Sequence, residues 1–197
     1  MRASAVVALM GHERGKREVE GPMTETTPQA SSVPGGLVYA DVPNRAIAYI
    51  IDAIILAVMV VVVAGILAAI GLAAGEFLSV VVIGIIGLAI SAAYFIYTWT
   101  TMRATVGMKA LGMQIGNAGD GKTLTQDQAI RRWLALSAPS ILAQAFQPIA
   151  VIGLVLSIAA FAWFIYLVYT TAQSPTKQGW HDVFANTMVV KAAKTVG

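Results

Sequence analysis

From Trp133 to Thr171 the chain runs 39 residues without a charged side chain, longer than a single membrane crossing needs. Gln144, Gln147 and Pro148 divide it, and proline ends or kinks a helix. The segment therefore predicts two helices, spans three and four, over 130–146 and 148–171. Two similar runs precede it. Between Ala46 and Ala74 the one charged side chain is Asp52, and Phe77–Thr98 carries none. At 1.5 Å per residue these stretches reach about 30–40 Å, enough for the ~30 Å hydrocarbon layer. They are expected spans one (46–74) and two (77–98), joined by a turn at Gly75-Glu76.

Composition leaves no soluble alternative, because 57% hydrophobic against 12% charged residues gives more apolar surface than a 197-residue globule can hide. The fold class expected is all-α membrane: a four-helix transmembrane bundle with a loop between spans two and three. Trp133–Phe146 supplies only a short apolar stretch, so span three either begins as an amphipathic turn near Thr125–Arg132 or is re-entrant.

Charge sets the expected orientation. Five Lys/Arg precede span one, five lie between spans two and three, three follow span four, and the hairpin turns hold none. Four crossings place all of them on one side, the cytoplasmic one, with both termini and the long loop. Tyr94, Tyr97, Trp99, Trp133, Tyr166 and Tyr169 fall where aromatic anchors are expected at that interface. Residues 1–44 read as a disordered cytoplasmic tail rich in Thr, Pro, Ser and Gly. The apolar opening Ala3–Met10 is too short and poorly flanked for a signal peptide, and the polar run at Met23 suggests an over-extended start. Residues 45–197 then form the membrane domain.

Several chemistries are excluded or disfavoured. The chain has no cysteine, and His12 and His181 lack partners at metal-ligand spacing. No Gly-x-Ser-x-Gly elbow or Walker-type loop is present, and the basic residues form no stripe for nucleic acid. No metal, cofactor or enzymatic activity is expected. The glycine-rich run 116–121 reads as a hairpin turn. Small residues at Gly84, Gly87 and Ser91, and at Ala64, Gly65, Ala68 and Gly71, suggest close helix packing. Met113–Gly116 and Thr187–Lys191 are short and β-branched enough to pair as strands.

The candidate site centres on Arg45 and Asp52, seven residues apart and so on nearly one helix face. A carboxylate inside a span costs about 2.5–3.5 kcal/mol unless paired, wetted or protonated, and Arg45 is the first candidate partner. The residues allow either an ion- or proton-binding carboxylate or a fixed ion pair setting helix register.

These elements resemble the RDD family of bacterial membrane proteins, named for an Arg and two Asp. Asn44–Asp52 (NRAIAYIID) looks like its opening element, Thr105–Ile115 (TVGMKALGMQI) like its loop element, and Gln178–Val190 (QGWHDVFANTMVV) like its closing element. Asn186 departs from the family pattern, where Gly or a small residue is usual. The resemblance covers about 45–197 and implies a polar cluster of Arg45, Asp52 and Asp182. It also implies a loop motif of Thr105, Gly107, Lys109, Gly112, Arg131 and Arg132, and a closing motif of Gly179, His181 and Thr187. Some members are thought to act in cation/proton exchange or other transport, which for so small a chain implies a homo-oligomer in the lipid bilayer. The alternative is a non-transporting accessory or assembly protein that binds partners through its loop and tail.

Overall fold

The computed structural model of the chain describes residues 32–33, 37–70 and 75–192. In chain order it contains β1 (Ser32–Val33), β2 (Leu37–Tyr39), α1 (Val42–Ala69), α2 (Glu76–Tyr97), a π-helical turn (Thr98–Met102) and α3 (Val106–Ala110). These are followed by β3 (Met113–Asn117), α4 (Gln126–Ala145), α5 (Ala150–Gln173), α6 (Trp180–Phe184) and β4 (Thr187–Ala192).

Among the described residues, three segments are long and apolar enough to cross a membrane: Val42–Ala69, Leu78–Met102 and Ala150–Gln173. Almost none of their side chains is buried; Ile50, Ile54, Val58, Val61 and Ile66 of α1 and Val151, Leu154, Ile158 and Phe161 of α5 all face outward. An apolar surface of that extent belongs in lipid. Helix α4 is the exception. Its first two turns carry Gln126, Asp127, Gln128, Arg131 and Arg132, so it does not meet that standard, which the other three of the four expected spans do.

The chain is also not all-α. Strands pair antiparallel in the order β1-β2-β4-β3, with Ile115 opposite Val189 and Tyr39 opposite Val190. The expected pairing of 113–116 with 187–191 is present, but β4 has a second neighbour, β2, drawn from residues assigned to the tail. The expected tail ends at 44, whereas α1 starts at Val42, where Asp41 accepts a hydrogen bond from Asn44 N–H at 3.1 Å and Pro43 occupies the first turn. Lys191 of β4 also reaches Asp41, 2.8 Å away. Residues 1–31 lie outside the described residues, as does most of the turn after α1.

The hydrophobic core sits where the helices meet this sheet, built from Ala48, Phe95, Trp99, Met108, Met113, Ile115, Trp133 and Val189. Helix α4 starts there on a Thr125/Gln128 capping box, and Gln128 Nε2 donates to Asn186 O of the α6–β4 turn. It then runs antiparallel to α5, since Trp163 Nε1 donates to Ala135 O near its middle and Gln147, just past its end, donates to Ser157. Between α1 and α2 the expected small-residue seam is loose. A Cβ added at Gly65 or Gly84 would meet nothing within 4 Å, and one at Gly87 would touch only Val60 at an ordinary 3.5 Å. In lipid the apolar helices have little reason to squeeze together, and the polar cap holds them instead.

Candidate functional site

The cap contains two polar constellations that the sequence had merged into one. The first surrounds Asp182. Residues 174–179 lead into α6, which turns Asp182 inward until its side chain is fully buried. Arg45 Nη1 donates to Asp182 Oδ2 at 2.6 Å, and Arg132 Nη1 donates to Oδ1. Gly179 N–H donates to Oδ2 at 3.1 Å and the Thr187 hydroxyl to Oδ1 at 3.3 Å. One carboxylate thus joins α1, α4, α6 and the start of β4. Burial opposes its charge, but the two guanidiniums win and hold the Asp182 carboxyl well below the usual carboxylate range.

The second surrounds Asp52, 2% exposed on α1. Its carboxylate accepts from the Tyr94 hydroxyl of α2 at 2.6 Å, the Thr105 hydroxyl at 2.5 Å and Gly107 N–H at 2.8 Å. All three donors are neutral. Thr105 also caps α3 by accepting from Met108 N–H, and Tyr94 accepts from Val106 N–H. Gly107 is required here because a Cβ would lie 2.2 Å from Ala48 O, so only glycine lets α3 lie directly on α1.

The expected Arg45–Asp52 ion pair does not form. Side chains on a helix lean toward its N-terminus, which carries Arg45 away from Asp52, toward Ala40 O at 3.1 Å and on to Asp182. The two residues do face one cavity.

The remaining expected positions divide the same way. Arg132 and Thr187 are buried and bonded to each other, His181 packs beside Asp182 with Nε2 3.4 Å from Oδ2, and Gly179 lies against Thr171. Gly112 and Asn186 adopt left-handed φ of 67° and 52°. Asn is the best-tolerated substitute for glycine in that region, so the Asn186 departure keeps the turn. Lys109 is exposed, and Arg131 pairs with Asp127 on the surface of α4; neither belongs to the cluster. Tyr94 and Trp99, read from the sequence as interfacial anchors, are instead parts of the site. Tyr94 bonds Asp52, and Trp99 is 3% exposed beneath the Arg132 guanidinium, 5.3 Å from the ring centre.

A cavity of about 140 Å³ lies between these constellations, with Arg45, Asp52, Trp99, Thr105, Arg132 and His181 on its polar side. A smaller one of about 80 Å³ continues along the bundle, sharing Tyr49, Phe95 and Leu136 and adding Ser91 and Ser137.

Burial pushes His181 down to about 4, with Arg132 and Arg45 adding to the effect against Asp182. Its unfolded value is near 6.5. The folded state therefore resists protonation: the contribution is whole above pH 6.5, falls as pH drops toward 4, and reaches about 3 kcal/mol. Asp182 adds its own loss only below the ordinary carboxylate range. Thermal unfolding in detergent from pH 8 to 4.5 should show this decline, and His181→Gln should flatten it.

Comparison with curated proteins and with solved structures gave no match. The model of the RDD family, however, matches residues 39–186, which take in both constellations apart from Thr187, α1 to α6 and the loop that carries Thr105 and Gly107. This membrane chain, with its Arg45 and its buried Asp52 and Asp182, belongs to the RDD family.

Proposed function

We propose that the chain is a transport module for a small ion or solute, with Asp52 as its charge-changing group. The observation that carries this reading is the asymmetry between the two aspartates. Asp182 is neutralised by two guanidiniums, whereas Asp52 is buried in a crossing helix, on a cavity wall, with neutral donors alone bonded to its oxygens. A fixed structural carboxylate gains by taking a cation; one that exchanges a proton must be free of such a lock. The second cavity extends the polar space toward Ser91 and Ser137, as a path through the bundle requires.

The reading includes α4 as a fourth crossing. Its antiparallel pairing with α5 returns the chain to the sheet, so both hairpins begin and end at the cap. Arg45, Arg103, Lys109, Lys122, Arg131, Arg132, Lys177 and Lys191 all flank the helices at that end, which the positive-inside tendency assigns to the cytoplasm of the plasma membrane. Four crossings enclose little space, and transport calls for a homo-oligomer.

Flux in proteoliposomes tests it. Wild type reconstituted with Na⁺, K⁺, Li⁺ and solute gradients should move charge or protons, and Asp52→Asn, which keeps shape and most hydrogen bonding, should reduce the rate at least tenfold with unchanged incorporation. Equal flux from both proteins would remove Asp52 from the mechanism. No flux from folded wild type under any gradient would favour the accessory role.

A further inference from the structure

The larger cavity has a chemical bias. Four side-chain nitrogens among the described residues are buried without a hydrogen-bond partner: Trp99 Nε1, Arg103 Nε, Arg132 Nε and His181 Nδ1. Three of their four residues stand on the wall of this cavity. An unpaired buried N–H costs about 1–3 kcal/mol, so such a group is expected to meet a partner in use. Trp99 and Arg132 offer N–H donors, and Arg132 rests on the Trp99 ring.

The two nearby carboxylates are already engaged: Asp182, bonded to Arg45 and Arg132 of the wall, also takes Gly179 and Thr187, and Asp52, on the wall itself, takes Tyr94, Thr105 and Gly107. On the Asp182 side two guanidiniums face one carboxylate, leaving one positive charge in excess. The opposite lining is apolar, with Phe95, Met108, Leu136, Phe164 and Leu167. For size, an engineered apolar cavity of about 150 Å³ takes benzene, so this one suits a ligand of about six non-hydrogen atoms.

We infer that the cavity binds a small monocarboxylate, its anionic end at Trp99 and Arg132 and its short carbon chain against Phe95, Met108 and Leu136. The inference rests on the reading of the cavity as a solute site and names its ligand class. A carboxylate could arrive from solution or as the head of a fatty acid in the bilayer; the chemistry at Trp99 is the same.

The test is binding to the purified full chain in detergent at constant ionic strength, followed by thermal shift and tryptophan fluorescence. The probes are propionate, butyrate and dodecanoate, with propionamide and the chlorides of Na⁺, K⁺ and Li⁺ for comparison. Saturable binding of propionate or butyrate over propionamide is expected. Trp99→Phe, which keeps the ring and removes the donor, should weaken it about tenfold or more. Leu136→Trp, which fills the cavity and leaves every polar group in place, should abolish it. Binding of dodecanoate alone, lost in both variants, supports a lipid carboxylate. Binding that survives both variants, or none to any carboxylate, overturns the inference; alkali-cation flux dependent on Asp52 from the same protein reconstituted in proteoliposomes would leave the transport reading intact.

Discussion

Asp182→Asn is expected to destabilise the folded protein by about 3–5 kcal/mol, the range for removing one charge from a buried ion-pair network. The carboxylate is fully buried between Arg45 and Arg132, and the amide would leave two guanidiniums facing each other with no negative charge between them. It also loses an acceptor for Gly179 N–H or the Thr187 hydroxyl. Thermal unfolding in detergent and proteolysis of the cap measure this. Replacing all three charges together, with Arg45→Met, Arg132→Met and Asp182→Leu, should recover much of the loss, because apolar groups of similar volume replace buried ion pairs at little cost. A triple variant as unstable as Asp182→Asn would show that packing around α6, rather than unpaired charge, is what the substitution damages.

Gly107→Ala should be nearly as damaging through another mechanism. The new methyl would sit 2.2 Å from Ala48 O and 2.9 Å from Ala48 C. Backbone cannot rotate away as a side chain can, so α3 must lift from α1, and the Gly107 N–H bond to Asp52 goes with it. Overpacking of about 1–3 kcal/mol combines with a similar penalty for a buried carboxylate short of one donor. A loss of about 3–5 kcal/mol is expected. Gly65→Ala serves as the matched control: it lies within α1 with nothing near the added methyl, and should be neutral or stabilising by up to about 1 kcal/mol. Equal unfolding temperatures for the two variants would refute the close approach of α3.

The apolar helices were legible in the sequence because a run without charges longer than the bilayer permits few other folds. The β3–β4 pairing was legible too, from β-branched residues at short spacing. What escaped was what depends on contact between distant segments. The donors to Asp52 come from positions 42, 53 and 55 residues further on, and no local period links them. Helical spacing made Arg45 the nearest partner, and the lean of helical side chains sent it the other way. Strand β2 was hidden because Leu37–Tyr39 is three residues inside a Gly/Pro/Ser-rich stretch, too brief for any alternation to show. The amphipathic start of α4 near Thr125–Arg132 was legible too, but not that its polar side meets the cap, where Arg132 and Gln128 have protein partners.

The position of β4 has a consequence for how the chain is made. It is the last described element to emerge in synthesis, yet it lies between β2 and β3, and Asp182 precedes it by a few residues. Until α6 and β4 arrive, Arg45 and Arg132 lack their counter-charge, β3 has no strand to pair with and β2 has only β1. The helices can enter the bilayer first, but the cap closes only at the end, like a clasp. An arrested or shortened nascent chain would therefore expose the basic and strand-edge surface by which quality-control machinery can recognise unfinished membrane proteins.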